Sequence, residues 1–237
     1  MTRTRWISRT LCVSALLLLG ACAGDPTIQT GDDAETIMGT LNRVDNSAMA
    51  LAYVDPTADY SRYDRIHVTP LDVDNVEIVQ PSNTSTSMVN RFNAEWELTD
   101  QNREQLQSAF QEIMARELTR DNAFTLADGG GDDVLVVEAM LTRIAPTAPQ
   151  DNAASRGAGR NRVFTETAGS VSIAIGFADG DSGEILAIIK DTRGGTTGTW
   201  GVNNSVTNMG EVRRAFGTWA SRVRDGLLRL QEMSANQ

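Results

Sequence analysis

The sequence is poor in cysteine, lysine, histidine and aromatic residues. Its 237 residues include two cysteines, one histidine (His67) and one lysine (Lys190), and aromatic side chains make up 5%. A single lysine leaves almost no candidate for Schiff-base chemistry, and without a histidine or thiol cluster the usual ligand pattern of zinc is missing. Cys12 lies in an N-terminal apolar run that ends just before Cys22, so a chain cleaved there forms no intramolecular disulfide and depends on its core.

The N-terminal apolar run is too short to cross a membrane. It extends over residues 11–21, about eleven residues, whereas a membrane-spanning helix needs about twenty. Arginines at positions 3, 5 and 9 precede the run without an acidic residue, and the run ends in Gly-Ala. This order of charged, apolar and small residues is typical of an export signal, so the sequence predicts a signal peptide over residues 1–21.

Residues Leu19-Gly20-Ala21-Cys22 resemble the bacterial lipobox. The resemblance implies that Cys22 is acylated and becomes the mature N-terminus. It also implies two or three acyl chains, which hold a protein at the membrane essentially permanently, whereas one chain binds only marginally. Resemblance to other Gram-negative lipoproteins implies the outer membrane, because Ala23 stands where an aspartate would favour retention at the inner membrane. The alternative is an ordinary cleavable signal with an accidental cysteine.

Acidic side chains outnumber basic ones. Without the three arginines of the signal peptide, 18 basic and 31 acidic residues remain, a formal charge of −13 on residues 22–237. Such a charge repels nucleic acid and anionic head groups and favours solubility or basic partners. We therefore expect no nucleic-acid partner. The expected partners are the membrane, through the N-terminal acyl chains, and an unidentified envelope protein or glycan.

Apolar periodicity predicts an order of strand, strand, helix, strand, hairpin and helix. The predicted strands are 63–72, 75–79 and 134–144, the hairpin is 171–189, and the helices are 99–120 and 208–231. Strand 134–144 is predicted to be central, with one shared face made by Leu135, Val137, Ala139 and Leu141. Each helix has one apolar face. Thr99 or Asp100 is expected to cap the first helix, and Asn208 with Glu211 the second.

This order predicts an α+β fold, a two-layer domain in which a mixed, mostly antiparallel sheet carries two amphipathic helices on one face. We expect a single periplasmic domain over residues 53–233. Residues 22–52 are polar and weakly periodic, which favours an acylated N-terminus and a flexible tether with one short helix near Ile37 to Leu41. If strands 63–72 and 134–144 are parallel neighbours, the connection between them is expected to be right-handed.

Four segments together resemble an uncharacterised bacterial lipoprotein family, domain of unknown function 3313. They are "YVDPTADYSRYDRIHV", "DVLVVEAMLTRIAP", "GSVSIAIGFADGDSGEILA" and the tryptophan-bearing terminal helix. The similarity spans most of residues 53–232 and consists of patterned strands and turns rather than reactive residues. It implies no activity, because the family has none assigned. Its members resemble small periplasmic α/β lipoprotein domains used in envelope assembly.

No pattern of catalytic residues is evident. A serine hydrolase needs a nucleophile, a histidine base and an orienting acid. His67 has Asp64 and Asp72 nearby in sequence, yet no G-x-S-x-G motif occurs, and "GDSGE" has the wrong spacing. We therefore interpret His67 as an ordinary exposed or hydrogen-bonded histidine.

Two acidic turns raise the question of calcium. Asp179 and Asp181 have the D-x-D opening of a calcium loop, but the later ligand positions are not filled. A tight polar turn is the favoured interpretation, and it applies equally to "DGGGDD", residues 128–133. We expect no metal and no cofactor.

Weak candidates for an interaction surface lie in two polar segments. Trp200 stands in the glycine-rich segment 194–201, which lacks the ending of a phosphate-binding loop, and aromatic residues are enriched in binding hot spots. A basic group is formed by Arg156, Arg160 and Arg162 and would suit lipid phosphates or acidic glycan. The alternatives are that Trp200 packs on the domain and that the arginines are simply solvated.

These observations favour an outer-membrane-anchored periplasmic lipoprotein that acts as a non-catalytic binding or assembly module of the cell envelope. A second hypothesis is an envelope glycan hydrolase that uses acidic residues, since 31 acids allow many carboxylate pairs. A third is a carrier with an apolar pocket between sheet and helices. Two carboxylates facing across a cleft would favour the hydrolase, and a deep apolar cavity would favour the carrier.

Overall fold

The computed structural model describes residues 24–80, 97–146, 164–165, 169–194, 201–202 and 205–236. In this part of the chain the strands are β1 (Thr27–Ile28), β2 (Thr36–Ile37), β3 (Leu41–Asp45), β4 (Leu51–Val54), β5 (Arg65–Val68), β6 (Glu77–Ile78), β7 (Thr125–Leu126), β8 (Val134–Ala145), β9 (Phe164–Thr165), β10 (Ser170–Asp179), β11 (Ile185–Gly194) and β12 (Gly201–Val202). The helices are α1 (Asp100–Leu118) and α2 (Ser205–Ala235).

Ten of these strands form one mixed sheet within the described residues. Its order is β1-β3-β4-β11-β10-β8-β5-β7, with β2 paired to β3 and β6 paired to β8. The pairs from β1 to β8 are antiparallel, whereas β5 runs parallel to both β8 and β7. The predicted strands 63–72 and 134–144 correspond to β5 and β8, and these are parallel neighbours, the arrangement that the sequence left open. The strand predicted over 75–79 is the shorter β6.

Strand β8 has the alternating pattern that its sequence predicts. Leu135, Val137, Ala139 and Leu141 are all buried, whereas Glu138 and Met140 on the other face are exposed. The neighbouring β10 repeats this alternation over Val171 to Phe177. The inner faces of both strands share one hydrophobic core with both helices. The predicted α+β arrangement of a mixed sheet and two helices is confirmed.

Helix α1 begins with the cap that its sequence predicts. The N–H of Asn102 donates to Thr99 Oγ1 at 3.2 Å, and the N–H of Thr99 donates to Asn102 Oδ1 at 3.3 Å, so two donors are satisfied reciprocally. Helix α2 begins at Ser205, three residues before the predicted start. Asn208 therefore lies inside the helix; its side chain is outside the described residues, so its pairing with Glu211 stays a prediction.

Aromatic residues join the two helices in the core. The ring centroids of Phe110 on α1 and Phe216 on α2 lie 5.4 Å apart in an edge-to-face arrangement, and Trp219 is 6.0 Å from Phe216. Such pairs contribute about 0.5–1.5 kcal/mol beyond the area that they bury. All three side chains are fully buried. The apolar residues that recur regularly along each helix therefore form the face that packs in the core.

The predicted tether and short helix are wrong for residues 27–52, because the structure has strands there. Strand β4 pairs with β11, β3 pairs with β4, and both β1 and β2 pair with β3. Met38 and Gly39 have positive φ angles of 52° and 82° and form a turn between β2 and β3 rather than a helix. These strands are two to five residues long, which is too short to give a clear periodic signal in the sequence.

Candidate functional site

An apolar cavity of about 280 Å³ lies between helix α2 and the sheet. Helix α2 contributes Val223, Leu227 and Leu230, which follow one another at steps of four and three residues and therefore share one face. Gly226 also lines the cavity, and a Cβ placed on it would meet no heavy atom within 4 Å. The helix thus presents apolar side chains and one open position to the space beneath it.

Strands form the opposite wall. Phe177 on β10 and Ile189 on β11 come from the inner face of the central sheet, and Val54 comes from β4. Ile28 and Val44, on the paired strands β1 and β3, extend the apolar lining towards the N-terminal edge. Part of the cavity wall therefore comes from residues 26–52, which lie within the predicted tether.

The carboxylate of Asp191 connects one end of the cavity to the core. Asp191 is buried and accepts hydrogen bonds from Trp219 Nε1 at 2.8 Å, Arg193 Nε at 2.7 Å and the N–H of Ala50 at 3.1 Å. The guanidinium of Arg222 lies 3.8 Å from the same carboxylate and donates to the carbonyl of Ala48. These contacts join α2, β11 and the turn before β4.

A second set of hydrogen bonds holds the C-terminal end of α2. The hydroxyl of Tyr60 donates to the carbonyl of Leu186 at 2.7 Å, while the N–H of Tyr60 donates to Ser234 Oγ at 3.0 Å. Gln231 Nε2 donates to the carbonyl of Tyr63 at 2.6 Å. Burial, together with the nearby charge of Asp55, raises the pKa of Tyr60 far above its ordinary range, so this hydroxyl remains a donor at physiological pH.

Three charged side chains of α2 line the rim of the cavity, and two of them have partners. Arg222 is held by Asp191 and Ala48, and Asp225 pairs with Arg224 at 2.7 Å. The third, Arg229, is exposed, and no hydrogen bond or ion pair is recorded for it among the described residues. The rim therefore offers a guanidinium that is free to meet an anion.

His67 has the structural role that its sequence context predicts. It is half-buried on β5, and its Nδ1 lies 3.0 Å from the carbonyl oxygen of Ala127. A carbonyl only accepts, so Nδ1 carries the proton and donates in this contact. The prediction of an ordinary hydrogen-bonded histidine is confirmed.

Asp179 and Asp181 form a tight polar turn, as predicted. Asp179 Oδ1 accepts from the N–H of Ser182 at 2.7 Å and of Asp181 at 3.1 Å, and Oδ2 accepts from the Tyr63 hydroxyl at 2.6 Å. Donation from Ser182 and Tyr63 holds the pKa of Asp179 well below its ordinary range. Burial and the bond to Asp179 raise the pKa of Tyr63. Among the described residues no group of three His, Cys, Asp or Glu side chains is placed to hold a metal ion.

The other sequence candidates lie outside the described residues. These are Cys22, Trp200 and the arginines Arg156, Arg160 and Arg162. Within the described residues, no helix is both apolar enough and long enough to span a bilayer.

Sequence reasoning missed Arg229, Gly226 and Asp191. Periodicity identified Val223, Leu227 and Leu230 as an apolar face, but it did not show that part of this face borders a cavity. A glycine within the helix, on the border of that face, is the one sequence signal that could have pointed to open space.

Comparison with solved structures finds distant similarities. A PelC dodecamer from Paraburkholderia phytofirmans is 9% identical, with a TM-score of 0.34 over 68% of this chain and 89% of that one. Protein XCC0632 from Xanthomonas campestris, described as DUF330, is 8% identical, with a TM-score of 0.43 over 78% of this chain and 94% of that one. No curated protein matches the sequence. The model of the family "Protein of unknown function (DUF3313)" matches residues 40–223, and the chain belongs to this family.

Proposed function

We propose that the protein is a lipoprotein of the bacterial outer membrane, anchored through acyl chains on Cys22, and that its domain is a non-catalytic binding module facing the periplasm. The anchor is supported by the three arginines, the short apolar run and the Leu-Gly-Ala-Cys sequence at the N-terminus. Unknown envelope components are the proposed partners.

The observation that carries the binding role is the apolar cavity beneath α2. Pro26 lines this cavity and follows Cys22 by four residues. Because an extended chain advances at most about 3.6 Å per residue, the cavity lies within about 14 Å of the proposed lipid attachment point. An anchored domain would therefore hold its cavity close to the membrane surface.

The buried carboxylates support a non-catalytic role. Asp179 and Asp191 each accept hydrogen bonds from at least three donors, and Asp55 accepts from the N–H and hydroxyl of Thr57. Carboxylates engaged in this way stabilise turns and helix contacts, whereas a glycosidase keeps a pair of carboxylates open to its substrate.

The anchor is tested in the native host. We expect mass spectrometry to find acyl chains on an N-terminal Cys22, and Cys22→Ser to move the protein from the outer membrane to the soluble periplasmic fraction. Cys12→Ser is the matched control, because the proposed cleavage removes residue 12, and this variant should stay in the outer membrane. A bare N-terminus, or one at another residue, would contradict the proposal.

The non-catalytic role is tested on purified protein. We expect no turnover of peptidoglycan or envelope polysaccharide. Turnover that is lost on replacing a single acidic residue would instead establish the hydrolase.

A further inference from the structure

We propose that the cavity beneath α2 binds the hydrocarbon chain of a single-chain fatty acid, and that the guanidinium of Arg229 binds its carboxylate. This inference deepens the proposed binding function by naming a ligand class. It concerns the cavity alone and does not depend on the lipid anchor.

The lining of the cavity favours a hydrocarbon chain. Apolar side chains come from both walls, among them Val223 and Leu227 on α2 and Phe177 and Ile189 on the sheet. Met233 is also present, and an unbranched thioether side chain adapts to a flexible ligand. The volume of 280 Å³ is just below the range of about 300–1,000 Å³ that small-molecule sites occupy. One chain suits this space better than a two-chain phospholipid.

The rim favours an acidic head group. Asp225 is paired with Arg224 at 2.7 Å, and Arg222 is engaged by the Ala48 carbonyl and lies 3.8 Å from Asp191, a carboxylate that it shares with Arg193. Arg229 is the rim cation for which the described part of the chain provides no partner. A guanidinium binds a carboxylate through two parallel hydrogen bonds, which a neutral alcohol cannot reproduce.

The acidic net charge of the protein does not prevent this contact. At physiological ionic strength the screening length is about 8 Å, so distant carboxylates contribute little at the rim. The acid on the rim itself, Asp225, is 2.7 Å from Arg224. A head group within hydrogen-bond distance of Arg229 therefore interacts mainly with this guanidinium, which favours an anion.

Two glycines of α2 provide a blocking variant and its control. Gly226 lines the cavity, whereas Gly210 does not, and a Cβ on either would meet no heavy atom within 4 Å. Leucine has a higher helix propensity than glycine, so neither variant is expected to unfold the protein. Gly226→Leu places a branched side chain at the cavity, and Gly210→Leu places the same side chain elsewhere on the helix.

The experiment measures binding of labelled palmitate and of neutral hexadecanol by equilibrium dialysis. It uses residues 22–237 with Cys22→Ser, so that no acyl chain of the protein competes. We expect saturable binding of one palmitate, at least about tenfold weaker in Gly226→Leu and unchanged in Gly210→Leu. We expect Arg229→Gln to lower the preference for palmitate over hexadecanol about fivefold, as for an exposed ion pair. Arg229→Lys should lie between Arg229→Gln and the parent chain, because lysine keeps the charge but not the two parallel hydrogen bonds.

Three results would overturn the inference. They are absence of saturable palmitate binding, equal binding by Gly226→Leu and the parent chain, and an unchanged head-group preference in Arg229→Gln. Because the dialysis uses unacylated protein, palmitate binding together with a bare Cys22 in the host would remove the anchor and leave the ligand assignment intact. Acylated Cys22 in the host, together with absence of palmitate binding, would support the anchor and overturn the ligand assignment.

Discussion

The indole Nε1 of Trp219 donates a hydrogen bond of 2.8 Å to the carboxylate Oδ2 of Asp191 within the protein core. Trp219 is fully buried, and the other oxygen of Asp191 accepts from the N–H of Ala50, 141 residues earlier in the chain. One carboxylate thus joins the C-terminal helix to the N-terminal strands. Asp191 also lies 3.8 Å from the guanidinium of Arg222, which lines the cavity.

We predict that Asp191→Ala lowers the free energy of unfolding by about 3 kcal/mol, because it leaves the Trp219 indole N–H buried without an acceptor and removes the partner of Arg193. Urea denaturation measures the change. Asp74→Ala is the control. The Asp74 side chain is 86% exposed, and its pair with Arg103 should contribute less than about 1 kcal/mol. Equal urea midpoints for the two variants would contradict the prediction.

We predict that Asp179 makes stability sensitive to acid. Hydrogen bonds from Ser182 and Tyr63 lower the pKa of folded Asp179 below its ordinary value of 3.8. On acidification the unfolded chain therefore takes up a proton first. The contribution of Asp179 to folding stability is complete above the ordinary carboxyl pKa of 3.8. It is lost as the pH falls from there towards the lower pKa of the folded state.

The measurement compares unfolding free energies at about pH 5 and about pH 3, on either side of the ordinary carboxyl pKa. The parent protein should lose more stability between them than Asp179→Asn does. Tyr63→Phe, which removes one donor and costs about 1 kcal/mol at neutral pH, should lie between the two. Parallel pH profiles for the parent and Asp179→Asn would show that this carboxylate is not the source.

We predict that alanine substitution destabilises the protein at one of two adjacent glycines and has little effect at the other. A Cβ at Gly130 would lie 2.2 Å from the carbonyl oxygen of Gly180, whereas a Cβ at Gly129 would meet nothing within 4 Å. Gly130→Ala must push apart two backbone turns and should cost about 2 kcal/mol, as overpacking does. Gly129→Ala should change stability by less than about 0.5 kcal/mol. Thermal unfolding of the pair measures the difference, and equal midpoints would argue against close packing of these turns.

We predict that Thr99→Ala lowers stability by about 1 kcal/mol, because the first turn of α1 loses a side-chain acceptor. Thr99→Ser keeps the hydroxyl and should retain most of that stability. Urea denaturation of both variants tests this, and a serine variant as unstable as the alanine variant would show that the hydroxyl is not responsible.

Local patterns were sufficient to predict much of the fold. The helix 99–120 and the central strand 134–144 were recognised because one apolar face repeats with the period of the element itself. The turn at Asp179 was also predicted, and so was a structural rather than catalytic His67, although the sequence left open whether it is exposed or hydrogen-bonded. The family was likewise recognised from these strands and turns.

The sequence by itself determined the order and type of the main elements, the α+β class and the family, because these depend on neighbouring residues. Tertiary structure alone decided that residues 27–54 belong to the sheet, because β4 pairs with β11 and β3 with β4, and strands of two to five residues leave little periodic signal. Tertiary structure also determined where the cavity lies and which residues line it. Pro26 and Gly226 border the same space although 200 positions separate them, and a gap between packed elements is a property of their arrangement rather than of any segment.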